Sequence, residues 1–208
     1  MRSKLSLPLA LLAFLLLPAC AGMEVTNTGF LDNYSQLERN RDLEVFAIPD
    51  EVLHYEKPGV DWSRFTKVVV PEVPFRRTED RPHSELDYDT EKELTGTFRR
   101  RIMEAFGKER ELVDRPGADT LIVRAALTDV DHSIRWLNWL GWLIVIPPDM
   151  GGASCELEVL DGSNNERLLA FAAHRDGTVL LSLETFSTWG HAKHAFKKWA
   201  RLAARETR

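Results

Sequence analysis

The chain has 208 residues, with 27 Lys+Arg against 32 Asp+Glu and a formal net charge of −5. This acidic balance excludes a general nucleic-acid binder, which needs clustered positive charge against phosphates. Hydrophobic residues make up 44% and aromatic residues 9%, enough for a core, so global disorder is excluded, and 2 cysteines exclude a disulfide-rich scaffold.

Met1-Arg2-Ser3-Lys4 is a short positive segment, and Leu5 to Leu17 follows without a charge, rich in Leu and Ala. These are the n-region and h-region of a secretory signal. As a helix the apolar run reaches roughly 20 Å, short of the roughly 30 Å hydrocarbon core, so a permanent spanning helix is not expected. Leu17-Pro18-Ala19-Cys20 resembles the lipobox of bacterial lipoproteins, with an aliphatic residue at −3, a small residue at −1 and then the cysteine. That resemblance implies a diacylglyceryl thioether on Cys20, cleavage before it, and acylation of the new amine by a chain such as palmitate. Each buried methylene contributes about 0.8 kcal/mol, and several chains together hold firmly. The competing reading is an ordinary signal peptide cut nearby, or a tail that stays cytoplasmic. Ala21 after the cysteine, where Asp would favour inner-membrane retention, implies the outer membrane, with the body facing the periplasm. With Cys20 consumed by lipid, Cys155 stands alone and no intramolecular disulfide can form. The expected organisation is a signal over residues 1–19, a lipidated tether and docking arm over 20–50, and one periplasmic domain over 51–208.

Ala21 to Thr28 reads as tether. Gly29 to Leu37 reads as a docking segment, with Phe30, Leu31, Tyr34 and Leu37 at helix-like spacing. Leu53 to Phe65 carries Tyr55, Trp62 and Phe65 around the turn signal Pro58-Gly59, and is expected to be irregular structure over the core edge. Lys67 to Val73 predicts a strand that is distorted or at an edge at Pro71. Phe75 to Asp87 is a polar loop. Thr90-Glu91-Lys92-Glu93 matches a capping box, and Leu94, Phe98, Ile102 and Phe106 continue as an apolar stripe that Gly107 stops.

Thr120 to Val130 predicts a strand with Leu121, Val123, Ala125 and Leu127 on one face. Gly152 to Leu160 predicts another, with Cys155, Leu157 and Val159 on one face and Glu156 and Glu158 on the other. Asp161-Gly162-Ser163-Asn164-Asn165 reads as a hairpin connection to a third strand from Arg167 to Ala173. Thr188 to Glu206 predicts the second helix, with Trp189, Ala192, Phe196, Trp199 and Leu202 on its apolar side. The order β-α-β-β-β-α predicts an α/β (α+β) two-layer sandwich in which two helices cover one face of a four-stranded mixed sheet. The first two strands should be parallel through a right-handed crossover, and the last two an antiparallel hairpin.

Four segments carry a family resemblance: Gly29-Phe30-Leu31-x-x-Tyr34-Ser35-x-Leu37, Ala125-Ala126-Leu127-Thr128-Asp129-Val130, Gly151-Gly152-Ala153-x-Cys155-Glu156-x-Glu158-Val159-x-Asp161, and Trp199-Ala200. Together they are similar to the bacterial lipoproteins of domain of unknown function 3313. The resemblance covers nearly the whole mature chain and implies an envelope lipoprotein without supplying a reaction. Where family members usually carry a Gly near the hairpin tip, this chain has Asn164-Asn165, and Asn also tolerates left-handed geometry.

Catalytic signals are sparse. Cys155 could be a thiol nucleophile with His174 on the neighbouring strand as its base, but it shares a face with Leu157 and Val159, and buried cysteines are mostly inert. His191-x-x-His194 places two imidazoles about one helical turn apart without a nearby third ligand. Neither a P-loop, a dinucleotide glycine fingerprint, a His-Glu-x-x-His nor a Gly-x-Ser-x-Gly is present. The expectation is therefore no catalytic residue, cofactor or metal, and a non-catalytic binding or assembly module of the cell envelope. An envelope enzyme with an unmarked site, and a subunit of a secretion or transport complex, are the alternatives.

Two surfaces are candidates for contact. Lys193, Lys197, Arg201 and Arg205 recur every four residues on the last helix, either as a solvated face or as a contact for anionic lipid or an acidic partner. Trp136 to Ile146 is apolar around its whole helical circumference and too short to span a bilayer. It is either a lid on the core or an exposed element in which Trp136, Trp139, Trp142 and Leu143 dock a membrane, an envelope protein or a second copy.

Overall fold

A computed structural model describes residues 27–39, 50–77, 86–130, 152–176 and 189–208. Its strands are β1 (Glu38–Arg39), β2 (Asp50–Glu56), β3 (Lys67–Val69), β4 (Glu111–Leu112), β5 (Thr120–Val130), β6 (Gly152–Asp161) and β7 (Arg167–Asp176), and its helices are α1 (Tyr88–Phe106) and α2 (Gly190–Glu206). They form one 7-stranded sheet in the order β1-β2-β7-β6-β5-β3-β4. β3 runs parallel to β5, and β5, β6 and β7 are successively antiparallel, as the patterning predicts. Asn165 closes the hairpin with φ 58, the left-handed conformation its side chain tolerates.

The expectation of four strands is corrected: β1, β2 and β4 extend the sheet at both sides. β2 is the instructive case, because residues 50–56 pair antiparallel with β7 along their whole length. Its two faces are both in use. Val52 joins the core beneath the helices, whereas Leu53 and Tyr55 pack on the opposite side. A strand covered on both faces shows no clean alternation of apolar and polar residues.

α1 starts earlier than the capping box suggests. The cap is Asp87, not Thr90: Asp87 sits in extended backbone and its carboxylate accepts from the Thr90 amide at 2.9 Å and the Thr90 hydroxyl at 2.8 Å. Asp89 and Glu91 then lie in the first turn, where the helix dipole favours negative charge. At the other end the Gly107 amide donates to the Met103 carbonyl at 2.9 Å. A Cβ at Gly107 would stand 2.7 Å from that same oxygen, so the helix stop depends on the missing side chain.

The helices pack on each other and on one face of the sheet. Leu94, Phe98, Ile102 and Phe106 of α1 meet Leu121, Val123, Ala125 and Leu127 of β5 and Cys155, Leu157 and Val159 of β6 in one buried cluster. Between the helices the Phe98 and Phe196 rings lie 5.1 Å apart, with Trp199 at 6.1 Å from each. Aromatic rings tilted at such separations add to the burial energy. No described helix is long and apolar enough to cross a membrane.

Candidate functional site

The opposite face of the sheet holds the more unusual chemistry. Strand alternation sends Ser154, Glu156 and Glu158 of β6 to this side, with Ala170, Ala172 and His174 of β7 beside them. The sequence pattern puts both carboxylates on the strand face opposite Cys155, Leu157 and Val159. In the fold Glu156 is 0% and Glu158 3% exposed. Buried charges need partners, and each has them.

Glu156 is covered by the N-terminal arm. Its Oε1 accepts from the Thr28 amide and the Thr28 hydroxyl, both at 2.8 Å, and its Oε2 accepts from the Leu31 amide at 3.1 Å. Gly29 at φ 73 and Asn33 at φ 54 turn the arm so that these amides aim at the carboxylate. Phe30, Leu31, Tyr34 and Leu37 pack against Ala170, Ala172, Leu53 and Tyr55. The alanines of β7 leave room for this layer. The arm therefore docks through the apolar residues its spacing predicts, although only Tyr34–Gln36 forms a helical turn, of 3-10 type. Burial pushes the Tyr34 hydroxyl far above the usual tyrosine range, and the nearby Glu156 charge adds to the shift.

Glu158 is held from the side. Arg124 reaches its Oε1 at 2.9 Å, and Arg167 holds Oε2 with Nη2 at 2.9 Å and Nε at 3.0 Å. Arg167 also donates to the Asp32 carbonyl, and Arg124 lies 5.2 Å from the centroid of the Phe30 ring. Two arginines thus tie the carboxylate to the arm as well as to the sheet.

Ser154 Oγ and His174 Nδ1 are 2.6 Å apart, on residues 1% and 3% exposed. In the sheet register Asp129 stands opposite Ser154, and Glu51 opposite His174. The pairing of Cys155 with His174 considered from the sequence is not formed. Cys155 is in register with Ala173 and points into the core under the helices, so the two side chains lie on opposite faces. Burial holds the Cys155 thiol well above its usual value, which keeps it protonated and unreactive.

The basic row on α2 is divided. Lys193 pairs with Glu93 of α1 at 2.7 Å, and Arg205 with Glu206 at 2.9 Å. Lys197 and Arg201 instead border a groove of about 60 Å³ between the helices, with Arg101, Glu104 and Lys108 on the α1 side. A roomier polar cleft of about 380 Å³ lies where the β6–β7 turn meets residues 57–64. Four of its charges pair, Lys57 with Glu166 at 2.5 Å and Arg64 with Asp161, while Asp61 accepts from the Ser63 amide at 3.1 Å and the Ser63 hydroxyl at 2.6 Å. Burial pushes the Asp161 carboxyl up, but hydrogen bonds from Ser163 and the Arg64 guanidinium outweigh it and leave the group below the usual carboxylate range. Asp161 is thus an ionised anchor and no proton donor at neutral pH. Cys20, Trp136, Trp139, Trp142 and Leu143 lie outside the described residues.

Among curated proteins none matches the chain. Solved structures are similar at low identity. A PelC dodecamer from Paraburkholderia phytofirmans is 12% identical with a TM-score of 0.43, over 77% of this chain and 99% of that one. A neuraminyllactose-binding hemagglutinin homolog from Helicobacter pylori is 10% identical with a TM-score of 0.35, over 68% of this chain and 81% of that one. A DUF4136 family protein from Bacteroides thetaiotaomicron is 10% identical with a TM-score of 0.34, over 75% of this chain and 92% of that one. At such scores the likeness carries no function across. The segments quoted from the arm, from β5 and β6, and from α2 all fall within residues 26–203, which match the family described as protein of unknown function DUF3313, and the chain belongs to that family.

Proposed function

We propose that this chain is a lipid-anchored outer-membrane lipoprotein facing the periplasm, acting as a non-catalytic binding or assembly module of the cell envelope. The observation that carries the reading is the capture of the Thr28 and Leu31 amides by buried Glu156. Cys20, in its lipobox-like setting, precedes Thr28 by about eight residues, which span at most about 29 Å when fully extended. An arm fixed to the sheet at that point holds the body close to the anchoring leaflet. The helix layer then lies on the far side of the sheet from the arm, where Lys197 and Arg201 would meet an acidic partner rather than the anchoring membrane. The segment holding Trp136, Trp139, Trp142 and Leu143 is the second proposed contact surface, with a membrane, an envelope protein or a further copy of the chain as its partner.

The test is metabolic labelling with palmitate and fractionation of the envelope. Labelled protein in the outer membrane, lost from both label and membrane in Cys20→Ala, is the expected result. Unlabelled wild-type protein, or a Cys20→Ala variant that stays in the outer membrane, overturns the anchor. Pull-down after mild cross-linking should recover an envelope partner or a second copy, and recovery of the chain alone overturns the assembly role.

A second reading is an envelope hydrolase, favoured only by the Ser154–His174 contact. It requires the buried Ser154 hydroxyl to reach substrate. Covalent labelling of Ser154 by a fluorophosphonate probe would support it, and an unlabelled folded protein would remove it.

A further inference from the structure

We infer that His54, Glu56 and Glu206 form a binding site for a divalent transition-metal ion of the zinc class, at the place where β2 meets the C-terminal end of α2. One ligand atom from each residue lies within 4.8 Å of the others. His54 and Glu56 are two apart on β2, so both point to the helix side of the sheet, as Val52 does. Glu206 closes the last turn of α2. Donors around one zinc ion stand about 3.3 Å apart, given bonds of about 2.0–2.1 Å and tetrahedral geometry. Closure therefore asks for a movement of at most about 1.5 Å between any two of the three side chains.

Two further observations point to a cation. His54 Nε2 is buried and has no hydrogen-bond partner among the described residues. An orphaned ring nitrogen is costly, and a metal ion would take up its lone pair. Finally, Glu206 places a carboxylate at a helix C-terminus, where the dipole already contributes negative potential. Arg205 answers one of its oxygens, Oε1, at 2.9 Å, and among the described residues no ion pair engages Oε2.

The end of α2 is fixed in place, which a metal site requires. Arg110, anchored on the Phe65 carbonyl at 3.1 Å, donates to the carbonyl of the fully buried Thr207. One imidazole with two carboxylates suits zinc, manganese or ferrous iron better than calcium or magnesium, which prefer all-oxygen sets. Three protein ligands leave at least one position for water or a group from a partner. The metal would tie the strand outside the β5–β6–β7 meander to the helix layer, so its loss should loosen that side of the sheet first.

The test uses the untagged full chain in detergent, stripped with a chelator. Titration with Zn²⁺ by calorimetry, and with Co²⁺ by visible absorption, should show one ion per chain, not displaced by millimolar Mg²⁺. His54→Ala and Glu206→Gln should weaken binding about tenfold or more, the scale that even outer-shell partners reach. Glu56→Gln guards against misfolding as the cause: its exposed side chain should leave the melting temperature of the metal-free protein unchanged while the rise on adding Zn²⁺ shrinks. Absence of binding at about 100 μM Zn²⁺, far above the range of structural sites, overturns the proposal. Binding that survives all three variants, or that disappears only in His194→Ala, overturns it equally.

Discussion

The two faces of the sheet are closed by different physics. Under the helices the centre of the layer is apolar, from Leu94 and Phe98 to Leu157, Phe196 and Trp199, and polar groups such as Arg110 and Thr207 sit at its edge. Under the arm the layer is thin, and its fixed points are two carboxylates, Glu156 with three hydrogen bonds from the arm and Glu158 with two arginines. Apolar burial is non-directional and tolerant of small shifts, whereas a buried charge is stable only while its donors stay in place. The helix face should therefore set global stability, and the arm face should open as a unit of its own.

The largest effect that would break this contrast lies in the helix layer. Trp199→Ala should cost about 3–5 kcal/mol in urea denaturation. Because Trp199 Nε1 has no hydrogen-bond partner among the described residues, Trp199→Phe should cost less than half as much. A loss in Trp199→Phe as large as in Trp199→Ala would mean that shape outweighs area there.

On the other face Glu156→Gln should cost about 1.5–3 kcal/mol, the worth of hydrogen bonds to a charged acceptor. The signature is local: amide exchange at Thr28 and Leu31 should accelerate about 10- to 100-fold while β5 and β6 keep their protection. Equal acceleration throughout the sheet would show that the arm and the core unfold together.

The β6–β7 turn offers a pH probe at the end of the sheet. Asp161 is held below its usual range in the fold, so its contribution is fully present above the unfolded value of about 3.9 and is lost as pH falls through the lower folded value. Denaturation midpoints taken from neutral pH down to about pH 2 should drop less steeply in Asp161→Asn than in the wild type over that acid window. Matching slopes would remove Asp161 as an acid-sensitive anchor. The smallest expected effect is a null one. Cys155 should resist thiol reagents at neutral pH until the chain unfolds, with a labelling rate that follows global opening. Fast labelling of the folded chain would contradict the tight packing under the helices.

The helix layer was legible because its information is local. A stripe at four-residue steps defines α1, and alternation over Leu121, Val123, Ala125 and Leu127 defines β5. Residues 50–56 carry no such pattern, since β2 is covered on both sides and owes its strand form to pairing with β7 more than a hundred residues away. Asp87 is hidden as a cap because the Thr-x-x-Glu spacing three residues later is the stronger local motif. Glu156 and Glu158 alternate with apolar residues as any half-exposed strand does. The only hint of their burial was Phe30, Leu31, Tyr34 and Leu37, an apolar set with no face of its own to cover.

By itself the sequence determined the two helices, the parallel and antiparallel strands between them and the hairpin with Asn165 in the left-handed region. Each of these follows from residues within a few positions of one another, through periodicity, capping or turn geometry. Tertiary structure alone decided that the sheet gains β2 at its side, that the arm's amides hydrogen-bond a buried carboxylate, and that His54 and Glu56 come near Glu206. Those contacts join residues far apart in the chain, whose partners are named by long-range strand pairing and by the demand that every buried charge find a donor.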